Sequence, residues 1–244
     1  MKRPKLRTVE KYQPIYPLNT FSREFAVSLG RSLIAFLAAR GNDRLEGNDW
    51  EEIFARCIGA QWTPSNVGLD DVVLGSMAWG AKTVKNKKPF TAKTIRLISG
   101  RNFLSYSFGE TDVPKDPIVA GNKVLAIWNE RVSAIRAKYS HLRTVVLLKG
   151  DGLEEVSVFE TETRLYDADD YNWQWNEQNN LEGLCKRNDF HKFTWQPSGS
   201  QFTIIEQIPE NRLSIRIKKP PAINETIVLE SIGFDDSWIK IVSI

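Results

Sequence analysis

Residues 69–75 and 78–85 read as two short β-strands joined by a tight turn, and this pairing constrains the rest of the chain. Alternate residues of a strand share a face. Asp71 and Val73 therefore share one face of the first strand, with Asp70 and Val72 on the other. In the second strand Trp79, Ala81 and Thr83 oppose Gly80, Lys82 and Val84. An acid at the start of one strand then reaches a lysine on its partner across roughly 5–8 Å. Composition changes abruptly after the acids. Residues 72–109 contain no Asp or Glu, yet hold Lys82, Lys85, Lys87, Lys88, Lys93, Arg96 and Arg101. An acidic pair followed by an acid-free basic segment is the charge arrangement of a metal site facing a polyanion.

The surrounding pattern supplies a fold class. Residues 1–19 hold three prolines without periodicity and read as an N-terminal arm. Phe25, Leu29, Leu33, Ile34, Phe36 and Leu37 have helical spacing that ends near Gly41. A second helix is expected from Asn48 or Asp49 to Gly59, with Asn48 as its cap and Ile53, Phe54 and Cys57 as its buried stripe. After the strand pair, residues 94–99 suggest a third strand and residues 105–117 a loop. Val124, Ile127, Trp128, Val132, Ile135 and Tyr139 then mark a long helix. The unbroken apolar run from Thr144 to Leu148 reads as a buried central strand. Helix, three strands, helix, strand is the order of an α/β (α+β) domain with a mixed central sheet flanked by helices. Residues 20–150 form this core. Residues 151–244 are β-rich, with strands expected at 202–205, 213–217 and 226–229, and pack on the core as one domain.

Composition narrows the function classes. At 244 residues, 41% apolar and 26% charged, the chain can bury a full core. No apolar run nears the ~20 residues of a membrane span, and the basic N-terminus lacks the apolar stretch of a secretory signal. Two distant cysteines, Cys57 and Cys185, fit a reducing, cytoplasmic setting. Only His141 and His191 occur, in no ligand-spaced cluster, so a histidine-built metal site has no material. Phosphate loops of the Gly-x-x-x-x-Gly-Lys type, Gly-rich dinucleotide turns and nucleophile elbows are also missing.

Phosphodiester hydrolysis does suit the hairpin. It needs charge neutralised on the phosphoryl oxygens and a water made nucleophilic, which a carboxylate-held divalent metal and a nearby lysine supply. Asp71 is the expected metal ligand because it leads directly into the apolar strand; Asp70 is the alternative.

At these residues the chain resembles the PD-(D/E)XK nuclease superfamily, in particular type II restriction endonucleases. The resemblance rests on Asp70-Asp71 with Ala78-Trp79-Gly80-Ala81-Lys82, and on element order over residues 48–150. Residues 192–202 also look like restriction-enzyme sequence. The family expects an acid two positions before the lysine, and this chain has Gly80 there. Some members move that acid to a helix, which makes Glu52 the expected replacement, with Glu51 and Glu130 as alternatives. The resemblance implies a restriction-endonuclease-like core, Mg2+ as cofactor, double-stranded DNA as substrate, a homodimer and a partner methyltransferase. Lys85, Lys87, Lys88, Lys93 and Arg96 would neutralise phosphates, while Arg101 and Asn102 suit guanine and adenine edges. Two other readings stay open: a non-catalytic DNA-binding protein, and a structure-specific repair or junction nuclease.

Overall fold

The computed structural model describes residues 13–64 and 67–242. In chain order the elements are α1 (Arg23–Arg40), α2 (Gly47–Ile58), β1 (Gln61–Trp62), β2 (Val72–Leu74), β3 (Met77–Lys85), β4 (Thr94–Arg101), α3 (Leu104–Phe108), α4 (Pro117–Arg136), β5 (His141–Lys149), β6 (Glu155–Glu162), β7 (Tyr171–Trp175), β8 (Leu181–Cys185), β9 (His191–Gln196), β10 (Gln201–Gln207), β11 (Leu213–Arg216) and α5 (Glu225–Ser231).

Local chemistry explains the helix ends. Ser22 caps α1 by accepting from the Phe25 N–H at 3.1 Å, and Gly41, at φ 64°, closes it in the left-handed region. The cap of α2 is Glu46 rather than Asn48; its N–H donates to Asp49 Oδ2 at 2.8 Å. Asp116 caps α4 through Ile118, with Pro117 in the first turn.

Two sheets form. The first is mixed, in the order β1-β2-β3-β5-β6-β11, and the second is antiparallel, in the order β4-β10-β9-β8-β7. β2 and β3 make the expected hairpin, Val72 opposite Trp79. β3 lies parallel to β5 over nine residue pairs from Met77–His141 to Lys85–Lys149, so the connection through α4 crosses one face of the sheet. α1 and α2 cover the opposite face, packing Leu29, Leu33, Trp50 and Phe54 on Val72, Trp79, Val145 and Leu147. On the α4 face, Val124, Trp128 and Val132 sit between Ala78 and Leu142 of the first sheet and Phe193, Trp195 and Phe202 of the second. Beside them Ile95 and Leu97 of β4 meet Val146, Leu148 and Phe159.

The mixed α/β class therefore holds, but four expectations change. The strand at 94–99 leaves the hairpin's sheet and pairs with β10 in the second one. Its alternation already buries Ile95 and Leu97, and β5 occupies the place beside β3. Residues 226–229 lie in a helix, because Asn224 accepts from the Ile227 N–H at 2.8 Å and, among the described residues, no strand pairs with them. The expected loop at 105–117 begins within α3. Finally, both sheets cross the boundary at residue 150: β6 and β11 complete the first, and β4 is an edge of the second.

The arm was expected over residues 1–19, of which 1–12 lie outside the described residues. Residues 13–19 are tied to the core by a buried ion pair. Arg143 Nη1 donates to Glu160 Oε2 at 3.0 Å, with both side chains almost fully inaccessible. Glu160 Oε1 also accepts from the Tyr16 hydroxyl and the Trp79 indole N–H, each at 2.7 Å. Asn19 Nδ2 donates to the Glu160 carbonyl at 3.1 Å, and Arg143 Nη2 to the Tyr16 carbonyl at 2.9 Å. Burial and the adjacent Glu160 raise the Tyr16 phenol well above its usual range.

Candidate functional site

Asp71 lies one residue before β2, where the pairing with β3 gives out, and its side chain takes the place of a strand partner. Oδ2 accepts from the Ala81 N–H at 3.3 Å. Lys82 Nζ stands 3.8 Å from the same oxygen and donates to the Gly68 carbonyl at 3.2 Å. The aspartate side chain is 4% exposed and the lysine 26%, so the lysine is the more open member of the pair. The two expected residues are thus brought together across the hairpin.

Gly80 explains the missing acid. It faces the same way as Lys82, and a Cβ there would fall 2.8 Å from the Gly68 carbonyl oxygen and 3.1 Å from Leu69 Cα. The backbone of residues 68–69 fills the space that a side chain would need. Gly68 itself sits at φ 66°, which favours glycine.

Glu52, the expected replacement, is not brought to this pair. Its carboxylate is 54% exposed and meets Arg56 one turn further along α2, at 3.6 Å. The helix lies on the face of Val72 and Trp79, whereas Lys82 shares the face of Ala78, toward α4. Glu51 is the inward glutamate of α2, buried and accepting from the Trp62 indole N–H at 3.1 Å. Glu130 is exposed on α4. Asp70 is half-buried; its carbonyl accepts from Thr63, and its Oδ1 is buried with no hydrogen-bond partner among the described residues.

Asn102 cannot read a base edge, a correction with a clear cause. Its side chain is fully buried, with Nδ2 donating to the Val124 carbonyl at 2.9 Å. Its main chain bonds Ser200 and the Trp195 indole, so it joins α4 to the second sheet. Lys87, Lys88, Lys93 and Arg101 are exposed. Lys85 is exposed and paired with Asp151 at 2.9 Å. Arg96 projects from the outer face of β4 and donates to Thr194 Oγ1 at 2.9 Å.

Arg131 of α4 was not anticipated. Its guanidinium donates to the Ser99 carbonyl at 2.7 Å and to the Val67 carbonyl. Burial lowers its pKa and the nearby Asp71 carboxylate opposes that shift. A cation three residues after Trp128 and four before Ile135, both buried on the helix's apolar stripe, was the available signal.

A magnesium ion needs few protein ligands, commonly one or two carboxylates, and keeps waters and substrate phosphates for the rest. Asp71 supplies one carboxylate toward that sparse demand; Asp70, whose Oδ1 has no hydrogen-bond partner among the described residues, is the alternative, and alternation along the strand puts it on the other face. Among the described residues no three His, Cys, Asp or Glu side chains gather into a larger cluster, and no helix is long and apolar enough to cross a membrane. His191 is occupied by the Phe193 carbonyl and Thr194 Oγ1, at 2.8 and 3.0 Å. Compared with models of known families, with curated proteins and with solved structures, the chain matches none.

Proposed function

We propose that the chain is a Mg2+-dependent endodeoxyribonuclease with a restriction-endonuclease-like core, cutting double-stranded DNA at a short specific sequence. The observation that carries this reading is the Asp71–Lys82 pair, 3.8 Å apart across the β2–β3 hairpin of a sheet crossed by α4. Asp71 would hold the metal, with Asp70 as the alternative, and the ion would neutralise phosphoryl charge and acidify a water. Lys82 places an ammonium beside that carboxylate, able to meet a phosphate oxygen or to orient the attacking water. Lys85, Lys87, Lys88, Lys93, Arg96 and Arg101 neutralise DNA phosphates, giving an affinity that falls steeply with salt. A homodimer matches a twofold-symmetric target, and a methyltransferase that protects such sites follows from the family resemblance.

Gly80 favours a second reading, a sequence-specific DNA-binding protein of the same fold without catalysis. Plasmid cleavage separates the two. Wild type with Mg2+ should yield discrete fragments, and Asp71→Ala and Lys82→Ala should each lower the rate by about 100-fold or more. Specific binding with no cleavage in Mg2+ or Mn2+ establishes the second reading. Cleavage only at branched or damaged DNA would instead assign a structure-specific nuclease. Undiminished cleavage in both variants refutes the site.

A further inference from the structure

We infer that Arg131 is a positioning residue, a clamp that sets residues 67–71 and thereby the orientation of the Asp71 carboxylate toward its metal. The inference rests on the nuclease reading. Arg131 reaches two backbone carbonyls at once, Ser99 at the end of β4 and Val67 just before the site. Its guanidinium carbon is 5.8 Å from the centre of the Trp128 ring, which fixes the plane of the fork. It also covers Gly100, whose φ of 106° excludes most side chains and whose missing Cβ leaves the guanidinium its space.

From Val67 the chain needs four residues to reach Asp71, and each is held. The Gly68 carbonyl bonds Lys82 and lies against Gly80. Leu69 is 3% exposed, packed in the α4 core. Asp70 bonds Thr63 through its carbonyl, and Asp71 bonds Ala81 and Lys82. Arg131 therefore anchors the start of this segment to α4, shortly before Leu69 packs on the same helix. A lysine would keep the charge but lose the fork, since a single ammonium cannot reproduce a planar pair of bonds with the same geometry.

The sign of the effect distinguishes a clamp from a mere neighbouring charge. A cation beside Asp71 competes electrostatically with a metal ion, so removing the charge alone would tighten metal binding. Losing the clamp misplaces the carboxylate and weakens it. The test is Mn2+ binding to the full chain without DNA, followed by electron paramagnetic resonance, together with single-turnover cleavage. Wild type, Arg131→Lys, Arg131→Gln and Asp71→Asn are compared, with folding checked by circular dichroism. Both Arg131 variants should raise the Mn2+ Kd about tenfold and slow cleavage, with KM for DNA within about twofold, as expected of a step-specific loss. Asp71→Asn should abolish Mn2+ binding. Tighter Mn2+ binding in Arg131→Gln with Arg131→Lys unchanged overturns the clamp. So does a lowered unfolding midpoint with metal affinity and rate intact. If wild type neither binds Mn2+ nor cleaves DNA, the nuclease reading itself falls and the inference with it.

Discussion

Replacing Glu160 by Gln keeps the side chain's shape and removes one charge from the most enclosed ion pair in the protein. Arg143 then remains 2% exposed, with Glu162 as its other carboxylate, at 3.6 Å and half exposed to solvent. Among the described residues its Nε already lacks a hydrogen-bond partner. The amide Oε1 can still accept from Tyr16 and Trp79, but the amide nitrogen would turn a donor toward Arg143 Nη1 and the Asn19 N–H. Breaking a buried pair by neutralising one partner costs about 3–5 kcal/mol. For a chain of this size that lowers the thermal midpoint by roughly 6–20 °C. Urea unfolding followed by tryptophan fluorescence reads the change, because Trp79 belongs to the network. Arg216→Ala is the internal control: its pair with Glu155 is 2.5 Å long but 72% and 36% exposed, so its loss should cost under about 1 kcal/mol. A Glu160→Gln loss no larger than the Arg216→Ala loss would show that the network does not hold the arm and refute the reasoning.

Two further outcomes follow from the same geometry. Gly80→Ala pushes a methyl group into the Gly68 carbonyl and should destabilise by about 1–3 kcal/mol. Gly80→Glu, which supplies the acid that the proposed nuclease reading would expect there, should be less stable still and no more active; a stable Gly80→Glu with faster DNA cleavage than wild type would overturn this account of Gly80. In alkali, Tyr16 and Tyr166 are held protonated by burial, then by Glu160 and Glu206 respectively, and burial moves Tyr171 up to about 12. Groups raised in this way stabilise the fold fully below the free phenol value of about 10, and that contribution is lost as pH rises toward the folded values. Tyrosinate absorbance should therefore lag in the native protein and appear on unfolding. Ionisation of all six tyrosines near the free phenol value, with native circular dichroism, would contradict it.

The hairpin was legible because its information is local. Gly75 turns the chain, the apolar alternation sets the strands, and Asp71 and Lys82 then meet whatever surrounds them. The end of α1 at Gly41 fell at its expected place for the same reason, since caps and 3.6-residue periodicity act within a few positions. Glu51 and Glu52 mark where local reasoning stops. Both sit at the edge of one helical stripe, and only the packing of α2 on the sheet turned Glu51 inward and left Glu52 with Arg56.

The partners of residues distant in the chain belonged wholly to the tertiary structure. Asn102 carries the right chemistry for a base, but α4 and the second sheet enclose it. β4 has a strand's alternation, which does not say which sheet will receive it. The pairing of Arg143 with Glu160 and the reach of Arg131 to Val67 join segments that no spacing rule connects. The sequence by itself determined a mixed α/β chain with an acid and a lysine opposed across one hairpin. The tertiary structure decided what stands around them, because burial and long-range hydrogen bonds exist only once separate elements pack.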